Sequence, residues 1–207
     1  MKTNIYVDAF NLYFGALKGT PFKWLNLANM CKVMLPKNQI HKIKYFTALV
    51  KPRPNDPQQP IRQQTYLRAL RLLPNVEIIL GHYLSHEVMM PLADSPRNKP
   101  KYVKVIKTEE KGSNVNLATH LLQDAYKNDF EVAVVISNDS DLLAPIQIIR
   151  TDFRKKVGIL NPHKHPSQTL LRNSDFFKTI RPSALKESLF PSSLNDSIGE
   201  FHKPTNW

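Results

Sequence analysis

Three polar clusters in the chain carry the residue types that metal-assisted phosphoryl chemistry uses. Asp8 and Asn11 follow the apolar run Ile5-Tyr6-Val7. Ser137-Asn138-Asp139-Ser140-Asp141 follows the apolar run 132–136. Glu109-Glu110-Lys111-Gly112-Ser113-Asn114 leads into a helix-like pattern. Hard divalent cations such as Mg²⁺ take oxygen ligands, usually one or two carboxylates plus water and substrate phosphate. Asp8, Asp139 and Asp141 supply such ligands if the strands that precede them are neighbours. An ion held there activates water and neutralises charge on a phosphate under displacement. The plainer account is that Asp139 or Asp141 caps the following helix, as Ser/Asn/Asp runs commonly do. Gly112-Ser113-Asn114 likewise reads as a helix start, whose free amides also suit a phosphate. Lys111 is then either a solvated loop lysine or a phosphate contact.

Other chemistries find less support. No Cys/His set has zinc spacing. Ser137 and Ser140 lack triad partners in a recognisable order, and neither a Walker motif nor a dinucleotide fingerprint is present. His82 and His86 fall in strand-like sequence, about 13 Å apart on one face. A phosphatase or nucleotidyl transferase built on Asp139-x-Asp141 rests on that dyad alone. The single cysteine, Cys31, sits at a core-like helical position and excludes an intrachain disulfide.

These clusters need elements to hold them. Strands are expected at 4–8, 42–50, 76–86, 102–107, 131–136 and 157–160, from apolar runs and β-branched content. Helices are expected at 24–35, 61–73, 114–127 and 141–153, with Pro145 tolerated near a first turn. Pro-rich loops are expected at 51–60 and 90–100, and irregular chain beyond 182. Strands alternating with helices predict an α/β fold with a mostly parallel central sheet. Sites in such sheets lie beyond the carboxyl ends of the strands, where all three clusters fall. The expected division is one domain over 1–182 and a tail over 183–207.

Charge narrows the partner. The 207 residues carry 29 Lys/Arg and 17 Asp/Glu, a net charge of +12. Residues 1–104 hold 16 of the basic residues and 5 of the acids. That half suits a polyanion. Lys42, Lys44, Lys51, Arg53, Arg62, Arg68, Arg71, Lys99, Lys101 and Lys104 alternate with Tyr45, Tyr66 and Tyr102, a pattern suited to a groove for single-stranded nucleic acid. No apolar run reaches the ~20 residues of a membrane helix. The N-terminus lacks a signal-peptide pattern, so a cytoplasmic protein without membrane partners is expected.

The motifs Ile5-Tyr6-Val7-Asp8-Ala9-Phe10-Asn11-Leu12-Tyr13, Glu110-Lys111-Gly112-Ser113-Asn114-Val115-Asn116-Leu117-Ala118 and Val135-Ile136-Ser137-Asn138-Asp139-Ser140-Asp141-Leu142 together resemble the NYN domain family, LabA-like relatives of the PIN nucleases. The resemblance spans residues 3–182. It implies a three-layer α/β/α PIN-like (Rossmannoid) fold and Mg²⁺- or Mn²⁺-dependent endoribonuclease activity. Asp8, Asp139 and Asp141 correspond to metal-binding carboxylates, and Asn11 to a partner orienting Asp8. The family pattern usually has an aspartate where this chain has Asn114. That difference implies weakened or lost hydrolysis, through natural variation or an isosteric Asp-to-Asn change. The alternative is a non-catalytic RNA-binding or regulatory module on the same fold. Lys111, Ser137, Asn138, Lys44, Arg53 and Arg62 are the candidate RNA contacts, and a homo-oligomer stays open.

Overall fold

The computed structural model describes residues 1–96, 101–205 and 207. Its centre is a six-stranded sheet in which every pairing is parallel. The strands are β1 (Lys2–Asp8), β2 (Gln39–Thr47), β3 (Val76–Leu80), β6 (Val132–Ile136), β7 (Lys156–Asn161) and β8 (Phe176–Thr179), in the order β3-β2-β1-β6-β7-β8. The order reverses between β1 and β6. Chains leave these two strands toward opposite flanks, which opens a crevice at their carboxyl ends.

Alternation along the strands makes the two cores. Ile5 and Val7 of β1 face one layer, with α2 (Leu27–Met34), α3 (Gln59–Arg71) and α7 (Pro182–Lys186) supplying the packing. Tyr6 faces the other, against Leu117, Leu121 and Ala125 of α4 (Ser113–Tyr126) and Ile146 and Ile149 of α5 (Leu143–Thr151). A period of two therefore feeds two helical layers from one strand. The three-layer α/β/α expectation holds.

Several boundaries differ from the sequence reading, each for a local reason. The helix expected from Trp24 begins at Leu27, because Asn26 caps it by accepting from the Asn29 amide. Trp24 instead donates its indole N–H to the Pro191 carbonyl at 2.7 Å. The helix expected from Asp141 begins as a 3₁₀ turn at 140–142, capped by Asp139. The chain beyond 182, expected to be irregular, forms α7 and a hairpin of β9 (Ser193–Asp196) and β10 (Gly199–His202). Phe190, Phe201 and Trp207 from this segment close around Trp24.

The larger departure is at 82–111. Instead of joining the sheet, β4 (His82–Pro91) and β5 (Tyr102–Lys111) pair with each other as an antiparallel ribbon. The loop expected at 90–100 is partly strand, and its residues 97–100, Lys99 among them, lie outside the described residues. Gly81 lets the ribbon leave β3. A Cβ at this position would lie 2.7 Å from the Lys111 carbonyl oxygen, so only glycine allows the two ends of the ribbon to meet there.

Candidate active site

Three loops converge on the crevice between β1 and β6. Asp8 ends β1 and caps the short helix α1 (Ala9–Leu12), its Oδ1 accepting from the Asn11 amide at 3.0 Å. Ser137 follows β6 fully buried, and its hydroxyl donates to Asp8 Oδ2 at 3.1 Å. The same Ser137 oxygen accepts from the Asp139 amide at 3.1 Å. One serine thus joins the two strand ends and sets both aspartates. Glu110, at the end of β5, accepts from the Ser113 amide at 2.9 Å and the Ser113 hydroxyl at 2.7 Å, which starts α4. Gly112 makes the turn into α4 with φ of +93°, a conformation suited to glycine.

These anchors put Asp8, Glu110, Asn114 and Asp139 around a cleft of about 250 Å³, with Asn11, Ser113 and His163 on its rim. No lysine or arginine pairs with these three carboxylates among the described residues. The Asp8 carboxyl is raised above the usual carboxylate range. Burial is the main cause, hydrogen bonds from Asn11 and Ser137 oppose it, and the charges of Asp139 and Glu110 add to it. Asn114 answers part of this crowding. Its side-chain Nδ2 donates to Asp139 Oδ2 at 2.7 Å.

The structure brings Asp8, Asn114 and Asp139 together as expected, and it corrects the expected three-aspartate metal seat. Asp141 is exposed and lies outside the cleft lining; its amide donates to Asp139 Oδ1 at 3.0 Å. Among the described residues no three His, Cys, Asp or Glu side chains gather closely enough to hold a metal ion. Both oxygens of Asp8, of Asp139 and of Glu110 already accept hydrogen bonds from the protein. Asn114 turns its Nδ2 donor toward Asp139 and adds no negative charge to the cleft.

Other expectations are corrected too. Asn11 orients Asp8 through its backbone amide, while its side-chain oxygen accepts from the Asn138 amide at 2.9 Å. Asn138 binds the loop at 165–167 through Nδ2 and Oδ1. Ser137 and Asn138 therefore build the scaffold of the site through their side chains. Lys44 is buried, 2.7 Å from Asp124, so it is no surface contact. Tyr45 and Tyr66 are core residues and do not lie on an open groove. Arg62 pairs with Asp56, and Arg53 and Lys111 remain exposed. In the sequence Glu110 is one acid of the 109–114 cluster, and its place in the cleft comes from the ribbon that ends beside it.

Beside the cleft lies a larger cavity of about 460 Å³, walled by aromatic rings and rimmed by Lys23, Arg53 and Arg62. Phe10 and Phe14 border both spaces. Sequence reading missed this cavity, because its walls come from α1, β2, α3, the ribbon and the C-terminal residue.

Comparison with known proteins adds three findings. The NYN domain model matches residues 2–181. A Pseudomonas putida protein named 6-hydroxy-3-succinoylpyridine 3-monooxygenase HspA is 32% identical over 202 residues, covering 86% of this chain. The chain spans 64% of that relative's length. A crystal structure of a Vibrio parahaemolyticus protein of unknown function superposes with a TM-score of 0.60 at 19% identity, over 91% of this chain and 96% of that one. It shows the fold.

Proposed function

The chain belongs to the NYN domain family, a family of nuclease type, and from that premise we propose that it is an RNA-binding protein whose hydrolytic centre is held back by Asn114. The observation that carries the reading is the 2.7 Å hydrogen bond from the Asn114 amide to Asp139. An aspartate at this position would add a fourth carboxylate to a cleft that already raises the Asp8 carboxyl. A divalent cation would be its natural complement. The asparagine amide takes over part of that neutralising role without the Lewis acidity.

The Mg²⁺ or Mn²⁺ that the resemblance implies does not fit the residues as they stand, since among the described residues no three acidic side chains gather closely enough to hold it and Asn114 adds no negative charge. No hydrolytic step is therefore assigned through it. What the chain's own residues supply is a fixed pair, Asp8 and Asp139, and the raised Asp8 carboxyl suits it to accept a proton. The basic surface, with Arg53 and Lys111 near the cleft, supplies the attraction for a phosphate backbone.

The test compares this chain with Asn114→Asp on single-stranded RNA and DNA. The chain as it stands binds RNA in chelator, with affinity falling steeply as salt rises, and cuts slowly or not at all. Asn114→Asp cuts RNA with Mn²⁺, and adding Asp139→Asn abolishes the cutting. Absence of RNA binding at low salt, together with no cleavage by Asn114→Asp, sinks the reading.

A second reading is supported by the aromatic cavity and the 32% identity to a protein named for a hydroxypyridine substrate. On that reading the chain acts on a small heteroaromatic acid. Turnover of 6-hydroxy-3-succinoylpyridine, followed with reductant and oxygen supplied, separates the two.

A further inference from the structure

The cavity beside the cleft has the features of a built binding site. Its volume, about 460 Å³, falls within the roughly 300–1,000 Å³ of small-molecule sites. Phe10, Tyr13, Tyr45, Tyr66, Tyr83 and Trp207 wall it. These rings brace one another around the space instead of closing it. Phe10 and Tyr83 meet edge to face at 5.8 Å, and Tyr66 and Trp207 lie 5.5 Å apart.

The charge of the cavity is one-sided. Lys23, Arg53 and Arg62 line it against a single acid, Asp56, and Arg62 holds that acid. Among the described residues Lys23 and Arg53 have no carboxylate partner. Arg53 lies near enough to Tyr83 for its charge to oppose the rise of the Tyr83 hydroxyl, which burial and Glu110 push up to about 12. Gln59, also on the wall, has a buried side-chain oxygen with no hydrogen-bond partner among the described residues. Such an orphan acceptor is left for a donor on a bound molecule.

We propose that this cavity binds a planar aromatic ring that carries an anionic group and an N–H or O–H donor. The ring lies among Phe10, Tyr83 and Trp207, the anion meets Arg53, and the donor is accepted by Gln59. Two sources have this chemistry: a nucleotide base with its phosphate, and a free aromatic carboxylate. In the first case the cavity is a base subsite next to the cleft, since Phe10 and Phe14 belong to both. In the second it is a small-molecule site. The proposal stands on the cavity alone and does not depend on RNA binding.

Titration calorimetry on the full chain tests it with three probes: uridine monophosphate, 4-hydroxybenzoate and cyclohexanecarboxylate. One of the two aromatic anions saturates at one per chain, and the tighter one identifies the source. Cyclohexanecarboxylate, with the charge but neither the planar ring nor the donor, binds about tenfold more weakly or less, a difference of about 1.4 kcal/mol. Arg53→Gln, an exposed change that leaves the core intact, weakens the aromatic anion about tenfold, and Tyr83→Ala does so independently. The proposal is overturned if neither aromatic anion saturates below about 10 mM, a limit near 2.7 kcal/mol of binding. Equal binding of cyclohexanecarboxylate overturns it, as does unchanged binding by both variants.

Discussion

Asn114→Asp provides a quantitative test of how the cleft is balanced, before any substrate is added. The substitution replaces a donor 2.7 Å from Asp139 Oδ2 with a second carboxylate. Losing a hydrogen bond to a charged acceptor costs about 1.5–3 kcal/mol. Two carboxylates about 4 Å apart repel by up to about 4 kcal/mol at an effective dielectric of ~20, less where the side chains turn toward water. Both residues are half-buried, so some turning is available. Position 114 lies in the first turn of α4, where a negative charge regains about 0.3–1 kcal/mol from the helix dipole. The expected net loss in chelator is about 2–4 kcal/mol, which lowers Tm by roughly 4–16 °C for a chain of this size. A divalent cation that binds only the folded variant reverses this, by about 2.7 kcal/mol at 100 times its Kd. Differential scanning fluorimetry of both proteins, in EDTA and across MnCl₂, reads each term. The variant melts lower in EDTA and rises with Mn²⁺, while the unchanged chain moves by less than about 1 °C, an effect below about 0.5 kcal/mol. The reasoning is refuted if the variant melts with the unchanged chain in EDTA, or if Mn²⁺ raises both equally.

Other perturbations reach different parts of the same argument. Asp8 has a raised carboxyl in the fold, so its ionisation weakens the native state as pH rises through the window from the unfolded pKa of about 3.9 to the folded value. Asp8→Asn, which keeps an acceptor for the Asn11 amide, is expected to raise Tm at pH 7 and to reduce that pH dependence in melts between pH 4 and 8. Lys44→Met leaves Asp124 buried beside Tyr6 without its cation, and a loss of about 3–5 kcal/mol is expected from denaturant melts. RNA affinity per folded molecule is unchanged in the same variant, as a filter-binding assay checks. Arg68 grips Asp196 with two hydrogen bonds and holds that carboxyl below the usual range. Because the Asp196 pKa is depressed, this support is present above the unfolded pKa and is lost as pH falls through the lower folded value. Arg68→Ala therefore speeds amide exchange in the hairpin at 193–202, measured at neutral pH, with little change in the central sheet.

The parts of the fold that repeat locally were legible in the residues. Ile5-Tyr6-Val7 and 132–136 have the apolar continuity of doubly covered parallel strands. Their ends place Asp8 and Asp139 together because both strands point the same way. What could not be read depends on contacts distant in sequence. Leu84, Met89 and Ile106 look like buried strand residues, yet the ribbon exposes them, because β4 pairs with β5 and not with β3. Lys44 looks like a surface cation until Asp124, eighty residues away, is found beside it. Asp141 sits two residues from Asp139 in a motif that suggests a ligand pair, but the 3₁₀ turn carries it out of the cleft. The tail reads as irregular because its order comes from Trp24 and Arg68 and not from its own periodicity.

Asp8 links the cleft to the cavity. Its Oδ1 caps α1, and α1 carries Phe10, which lines both spaces. The group most exposed to electrostatic crowding is therefore also the group that sets the entry angle of the shared aromatic wall. Ser137 doubles this dependence, since its one hydroxyl touches Asp8 and the Asp139 amide. A charge added or removed at position 114 acts on Asp139 directly, and through Ser137 and Asp8 it reaches Phe10. The two spaces are thus one hydrogen-bonded unit. A substitution at position 114 is therefore expected to register at Phe10, and so in both spaces, and not in the cleft alone.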